Sequence, residues 1–288
     1  GRVRMNLLFA EQAFLSAKAS WKKAKAVILG CPYDGSASFR PGARFGPTAI
    51  RKASWGIETY SPYLHQDLTS LAIHDMGDLE LPLGEKKVSL NMIRKALKKI
   101  LSAGKFPILI GGDHLITLPI IEEVLTIYPD LHLVHIDAHT DLREDYLGEP
   151  LSHSTVMRKV LDLLGKGRLF QVGIRSGTKE EFQFARKMKS LVPFARSALQ
   201  SMKQQLKGKP VYISLDLDVL DPGILPGVGT PEPGGLTFQQ LISLFTLLKS
   251  IEVIGFDMVE LTPDYDPSQI SSVTASVILR EMILAFCP

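Results

Sequence analysis

The chain has 288 residues, 45% of them hydrophobic and 22% charged, with a formal net charge of +3. That is long enough to bury a sizeable core, and the composition excludes a disordered or fibrous chain. No long Lys/Arg run is present, and KASWKKAKA and RKALKKI read as solvated helix faces, which argues against nucleic-acid binding; no apolar stretch is long enough to span a membrane.

In chain order, GRVRMNLLFAEQ (1–12) has an apolar run too short for a signal peptide, and residues 1–4 read as a cloning remnant. Cys31 and Cys287 are too few for a disulfide framework or a thiolate metal site and point to a reducing cytoplasm. Apolar runs rich in β-branched residues recur at 26–30, 71–75, 107–111, 131–136, 168–174, 211–217 and 253–259, each predicting a strand buried on both faces. Between them lie segments with helical spacing. In 86–104 the stripe is Val88, Leu90, Ile93, Leu97 and Leu101, ending near Gly104; 236–250 has Thr237 as N-cap. This alternation predicts an α/β fold, a three-layer α/β/α sandwich with a central, mainly parallel sheet, in one domain over 1–288. The Gly/Pro-rich passage LDPGILPGVGTPEPGG (220–235), between a strand and a helix, reads as a site wall.

In open parallel sheets ligands bind beyond the carboxyl ends of the strands. Four predicted strands run there into polar groups: PILIG into GGDH with His114, LHLVHI into DAHTD with Asp137, His139 and Asp141, VYISL into Asp216 and Asp218, and VIGFDMV into Glu260. Alternate positions of an extended segment share a face, so Asp137, His139 and Asp141 converge, as do Asp216 and Asp218. Such carboxylates cannot all stay ionised unless a cation neutralises them. Oxygen ligands with two imidazoles and no sulfur suit Mn²⁺ best, and six ligands shared between two ions leave room for water. Singly, each position is explained by a turn, a cap or a hydrogen-bonded core histidine; the set at three strand ends is not. His135 shares the strand parity of Asp137 one step deeper and reads as core or ligand support. His65, His74 and His132 have no companion ligands. No nucleotide-binding glycine pattern, GxSxG elbow or reactive cysteine context accompanies the set.

GGDH, DAHTD and SLDLDVLDPGILPGVGTPEPGGL, in this order, resemble the signatures of the ureohydrolases, the arginase and agmatinase superfamily, and the resemblance runs from about residue 31 to 266. It implies two Mn²⁺ per chain, with Asp137 and Asp216 bridging, His114 and Asp141 completing one ion, and His139 and Asp218 the other. SHST (152–155) is similar to the segment carrying the family's proton-transfer histidine, here His153, with Ser154 where many relatives have Gly. Glu260 matches the acid that grips the guanidinium. TDLREDYLGEPLSHS resembles agmatinases more than arginases, which have an Asn where Arg143 stands.

The activity so implied is hydrolysis of the guanidinium of agmatine to putrescine and urea by a metal-bridging hydroxide, the guanidinium being a charged, resonance-stabilised and poor electrophile. Asp141 then passes the hydroxide proton to the leaving amine, and His153 exchanges protons with solvent. The partner is a small cationic guanidino compound, with Glu144, Asp145 and Glu149 as candidate contacts for its distal ammonium, and the resemblance implies a homo-oligomer, trimer or hexamer. Alternatives left open are arginine, guanidinobutyrate or aminopropylagmatine as substrate, a one-metal deacetylase, and a catalytically silent binding protein on the same fold.

Overall fold

The computed structural model describes residues 13–288; the readings made on residues 1–12 lie outside the described residues. Eight strands form one sheet: β1 Ala26–Cys31, β2 Ile73–Asp78, β3 Phe106–Gly111, β4 His132–Ile136, β5 Leu169–Val172, β6 Leu191–Val192, β7 Val211–Asp216 and β8 Val253–Val259. Their spatial order is β2-β1-β3-β8-β7-β4-β5-β6, and every pairing is parallel. Each predicted run overlaps a strand, but β2, which pairs only with β1, buries Ile73 alone and not both faces throughout as the sequence predicts. The eighth, β6, has two half-buried residues at the sheet edge, too short for a periodic signal. β1, β3, β4 and β7 are buried at every position, as expected of parallel strands covered on both faces.

Helices supply those covers. Against one face pack α1 (Gly46–Ser54), α6 (Arg196–Leu206), α7 (Phe238–Leu248) and α8 (Ile270–Phe286), through Ile50, Met202, Leu244 and Ile278 onto Ile108, Val134, Ile213 and Phe256. On the other lie α2 (Lys86–Ser102), α3 (Thr117–Leu125), α4 (Val156–Leu164) and α5 (Lys179–Met188), through Leu97, Ile120, Val160 and Ala185. Thr237 caps α7 as expected, its side chain accepting from Gln240 N while Gln240 reaches back to the cap. The stripe on α2 differs from its reading: Val88 is exposed, and the helix buries Ser89, Ile93, Leu97 and Ile100.

Strand order is what builds the site. β3, β8, β7 and β4 are neighbours at the centre, so the segments leaving their carboxyl ends emerge side by side. The register pairs Val259 with Asp216 and Ile136 with Leu215, which sets Asp137, one residue past β4, level with Asp216.

Candidate metal centre and active site

His114 begins the short 3-10 turn after β3, which Asp113 caps by accepting from Leu115 N at 2.9 Å. Just before it, Gly112 lies against the backbone of Tyr33, whose carbonyl oxygen a Cβ would overlap; close approach explains this glycine of GGDH. His114 Nδ1 is buried and has no hydrogen-bond partner. It faces Asp137 Oδ2 at 3.1 Å, Asp216 Oδ2 at 3.2 Å and Asp141 Oδ2 at 3.3 Å. Beside this group lies a second: His139 Nδ1 is 2.8 Å from Asp218 Oδ2 and 3.6 Å from Asp137 Oδ1. Asp137 thus turns one oxygen to each group. Asp216 turns Oδ2 to the first, while its Oδ1 accepts from Asp218 N at 2.8 Å.

Donor atoms bonded to one cation at about 2.2 Å lie about 3 Å apart when at right angles, so these separations, the orphaned Nδ1 and the oxygen-and-imidazole donor set fit divalent cations. The six residues predicted as ligands are brought together. Asp141 and Glu260 both adopt left-handed backbone, with φ of 51° and 70°, rare for side chains of their kind and characteristic of functional sites. Glu260 Oε1 accepts from His114 N at 2.7 Å. His153 stands apart from the cluster: Nε2 is 3.1 Å from Ser38 Oγ and Nδ1 3.4 Å from Ser36 Oγ. A cavity of about 290 Å³ opens between them, lined by His139, Asp141, Arg143, Tyr146, His153 and Thr230 among others. Glu260 is half-buried and not among its lining residues.

Like charges crowd here, and the titration directions show it. Burial and the carboxylates of Asp218 and Asp137 push Asp216 well above the usual carboxylate range, and burial, then Asp113, does the same to Glu260. Burial opposes charge on His114, but Asp137, Asp141 and Asp216 outweigh it and hold the ring well above an ordinary histidine. His139, also opposed by burial, is pushed up to about 12 by Asp218 and Asp137. A bound cation would relieve this crowding by supplying positive charge. Because these shifts favour the protonated ligands and a cation must displace any proton that a ligand holds, divalent-cation affinity is expected to rise with pH through proton release, by about tenfold per unit for each proton released. Calorimetry in buffers of different ionisation enthalpy reads that release; an affinity flat from about pH 6 to 9 would contradict it.

Beneath the carboxylates runs a row of polar residues of which motif reasoning found only His135. Gln171 on β5, His135 on β4, Ser214 on β7 and Asp257 on β8 are register partners across four adjacent strands, and all are fully buried. His135 Nε2 is 2.7 Å from Asp137 Oδ2, in the supporting place its strand parity suggested. Ser214 Oγ lies 2.9 Å from His114 Nε2 and donates to Asp257 Oδ1 at 2.7 Å, so the serine accepts from Nε2–H and Nδ1 is the ring nitrogen left to face the carboxylates. A polar residue in each of four buried strands was the available signal; only the register aligns them.

Arg143 lies 3.6 Å from Glu181, with its guanidinium 5.2 Å from the Tyr146 ring centre. Of the acids suggested for a distal ammonium, Glu144 pairs with Arg158 at 2.9 Å and Glu149 with Lys86 at 2.7 Å, while Asp145 accepts from Gly148 N. His74 and His132 bond to backbone carbonyls and His65 to Tyr60, outside the cluster. The 220–235 passage does form a wall: Arg175 bonds the carbonyls of Asp218, Val219 and Glu232, and Thr230 lines the cavity. Among the described residues no helix is long and apolar enough to cross a membrane.

Comparison with known proteins places these features in context. The arginase family model matches residues 24–285. The chain is similar to the agmatinase of Bacillus anthracis, 44% identical over 99% of each chain, and to the mitochondrial guanidino acid hydrolase of Homo sapiens, 39% identical over 90% of this chain and 78% of the other. Among solved structures, the agmatine ureohydrolase of Thermoplasma volcanium superposes with a TM-score of 0.86 at 33% identity, over 96% of this chain and 95% of the other.

Proposed function

The chain belongs to the arginase family, and from that premise we propose that it is an agmatinase, hydrolysing the guanidinium of agmatine to putrescine and urea. The observation that carries the reading is the orphaned Nδ1 of His114 facing three carboxylates beside the His139–Asp218 pair, with Asp137 reaching both groups. In this proposal two Mn²⁺ would be held by His114, Asp137, Asp141 and Asp216 together with His139 and Asp218. Such a pair would supply an activated water for attack on the guanidinium carbon.

The chain's own residues do the rest. Glu260 has one oxygen committed to His114 N, and Oε2 is the atom that accepts from a guanidinium N–H and orients its central carbon. Asp141, which lines the cavity, takes a proton from the attacking water and delivers it to the leaving amine. His153, between two serine hydroxyls at the cavity edge, exchanges protons with solvent. Asp141 and Glu181 line the cavity, and their charge favours a cationic substrate.

Urea release from agmatine, arginine, guanidinobutyrate and aminopropylagmatine, measured after Mn²⁺ loading, tests the substrate. Agmatine is expected to give the highest kcat/KM; a guanidino acid exceeding it would move the assignment to the activity named for the human relative. The proposal includes a homo-oligomer, trimeric or hexameric, which sedimentation velocity reads. It also includes the cytoplasm, which the two free cysteines, Cys31 and Cys287, suit.

A further inference from the structure

Gln171 is a fully buried amide on β5 that no step of the proposed reaction uses. Its Nε2 lies 2.7 Å from the carbonyl oxygen of Thr140 and 3.1 Å from His135 Nδ1, and its Oε1 accepts from Ser190 Oγ at 2.8 Å. A carbonyl can only accept, so the amide has one allowed orientation: turned over, its oxygen would oppose that of Thr140. The NH₂ group therefore donates twice, to Thr140 and to His135. His135 Nδ1 must offer a lone pair, which places the ring proton on Nε2, 2.7 Å from Asp137 Oδ2.

We propose that Gln171 is a positioning residue of the metal centre, one amide that fixes both ends of the HIDAHTD segment: the tautomer of His135 under Asp137, and the Thr140 carbonyl between His139 and Asp141. This rests on reading Asp137 as a ligand. Asp137 is the carboxylate whose oxygens divide between the two groups, so its rotation sets the geometry of both. Thr140 is the residue that carries the chain into the left-handed turn at Asp141. Its hydroxyl is held separately by Glu181 Oε1 at 2.7 Å, so the amide governs the carbonyl alone. The outer end of the chain, Ser190, stands just before β6, and the Gln171 backbone N–H donates to its carbonyl at 2.7 Å.

The test is Mn²⁺ affinity of the full chain, by chelator competition, together with the ¹⁵N signals of His135 in cation-free protein. Gln171→Met keeps the volume and removes both donors; Mn²⁺ binding is expected to weaken about 10- to 100-fold, with loss of the single Nε2–H signature. Gln171→Glu, the closer isostere, is expected to be at least as damaging, because its second oxygen meets the Thr140 carbonyl. A structural role alone would lower Tm and leave affinity and tautomer unchanged, and that result overturns the proposal. If Gln171→Met does not fold, Ser190→Ala decides: weakened Mn²⁺ binding in a natively folded variant supports it, and wild-type affinity overturns it. Asp137→Asn run alongside separates the two readings. If that variant binds Mn²⁺ like wild type, the ligand assignment falls; if only the Gln171 variants do, the inference falls alone.

Discussion

Asp137→Asn is expected to lose tight Mn²⁺ binding at both groups and to release urea from agmatine about a thousandfold more slowly. The magnitude follows from the chemistry removed: a cation pair contributes several kcal/mol to activating water and stabilising charge, and about 1.4 kcal/mol is tenfold in rate. The geometry makes Asp137 the most costly of the proposed ligands to change, because Oδ2 faces His114 at 3.1 Å while Oδ1 faces His139 at 3.6 Å. Asn replaces one of those oxygens by an NH₂ that cannot ligate. Burial opposes charge on Asp137, but the neighbouring His135, His114 and His139 rings outweigh it and hold the carboxyl well below its usual range. It is therefore the acid of the cluster already prepared in ionised form. Metal content by atomic emission and kcat with agmatine are the two readouts; a variant retaining both would remove the basis for the site.

Glu260→Gln is expected to separate catalysis from metal binding. Urea release should fall about 10²- to 10³-fold in kcat/KM, the scale of losing a charge-assisted contact that orients the reacting group, while two Mn²⁺ remain bound. Oε1 is tied to His114 N at 2.7 Å, so the amide can keep that bond only by turning its NH₂ to the substrate side. A donor would then face a donor. Burial and Asp113 make Glu260 hard to ionise in the cation-free protein, so the cations and the cationic substrate have to supply the field that charges it. A kcat/KM within about fivefold of wild type, with metal content unchanged, would assign the residue to support of the His114 turn instead.

The guanidinium-gripping role proposed for Glu260 also shows where motif reasoning stops. Matching VIGFDMVE to a family pattern names the acid, but its half-buried position off the lining of the nearby cavity is a property of packing. The same holds for the acids of the 144–149 loop. As residue types near the site they suit a distal ammonium, yet Glu144 and Glu149 are paired with Arg158 and Lys86. Sequence distance does not reveal which charges are already engaged.

What the sequence determined by itself is local. Strands buried on both faces appear as short apolar runs, because every side chain must meet a covering helix, and carboxylates just past such runs stand out against them. Seven strands, the cap of α7 and all six candidate ligands were legible for that reason. Tertiary structure decided the rest. The order β3-β8-β7-β4 brings together segments so distant that His114 and Glu260 bond across 146 positions, and register aligns Gln171, His135, Ser214 and Asp257 into one layer under the carboxylates. Neither is written in periodicity, because the pairing of parallel strands depends on crossover connections and on the packing of whole layers.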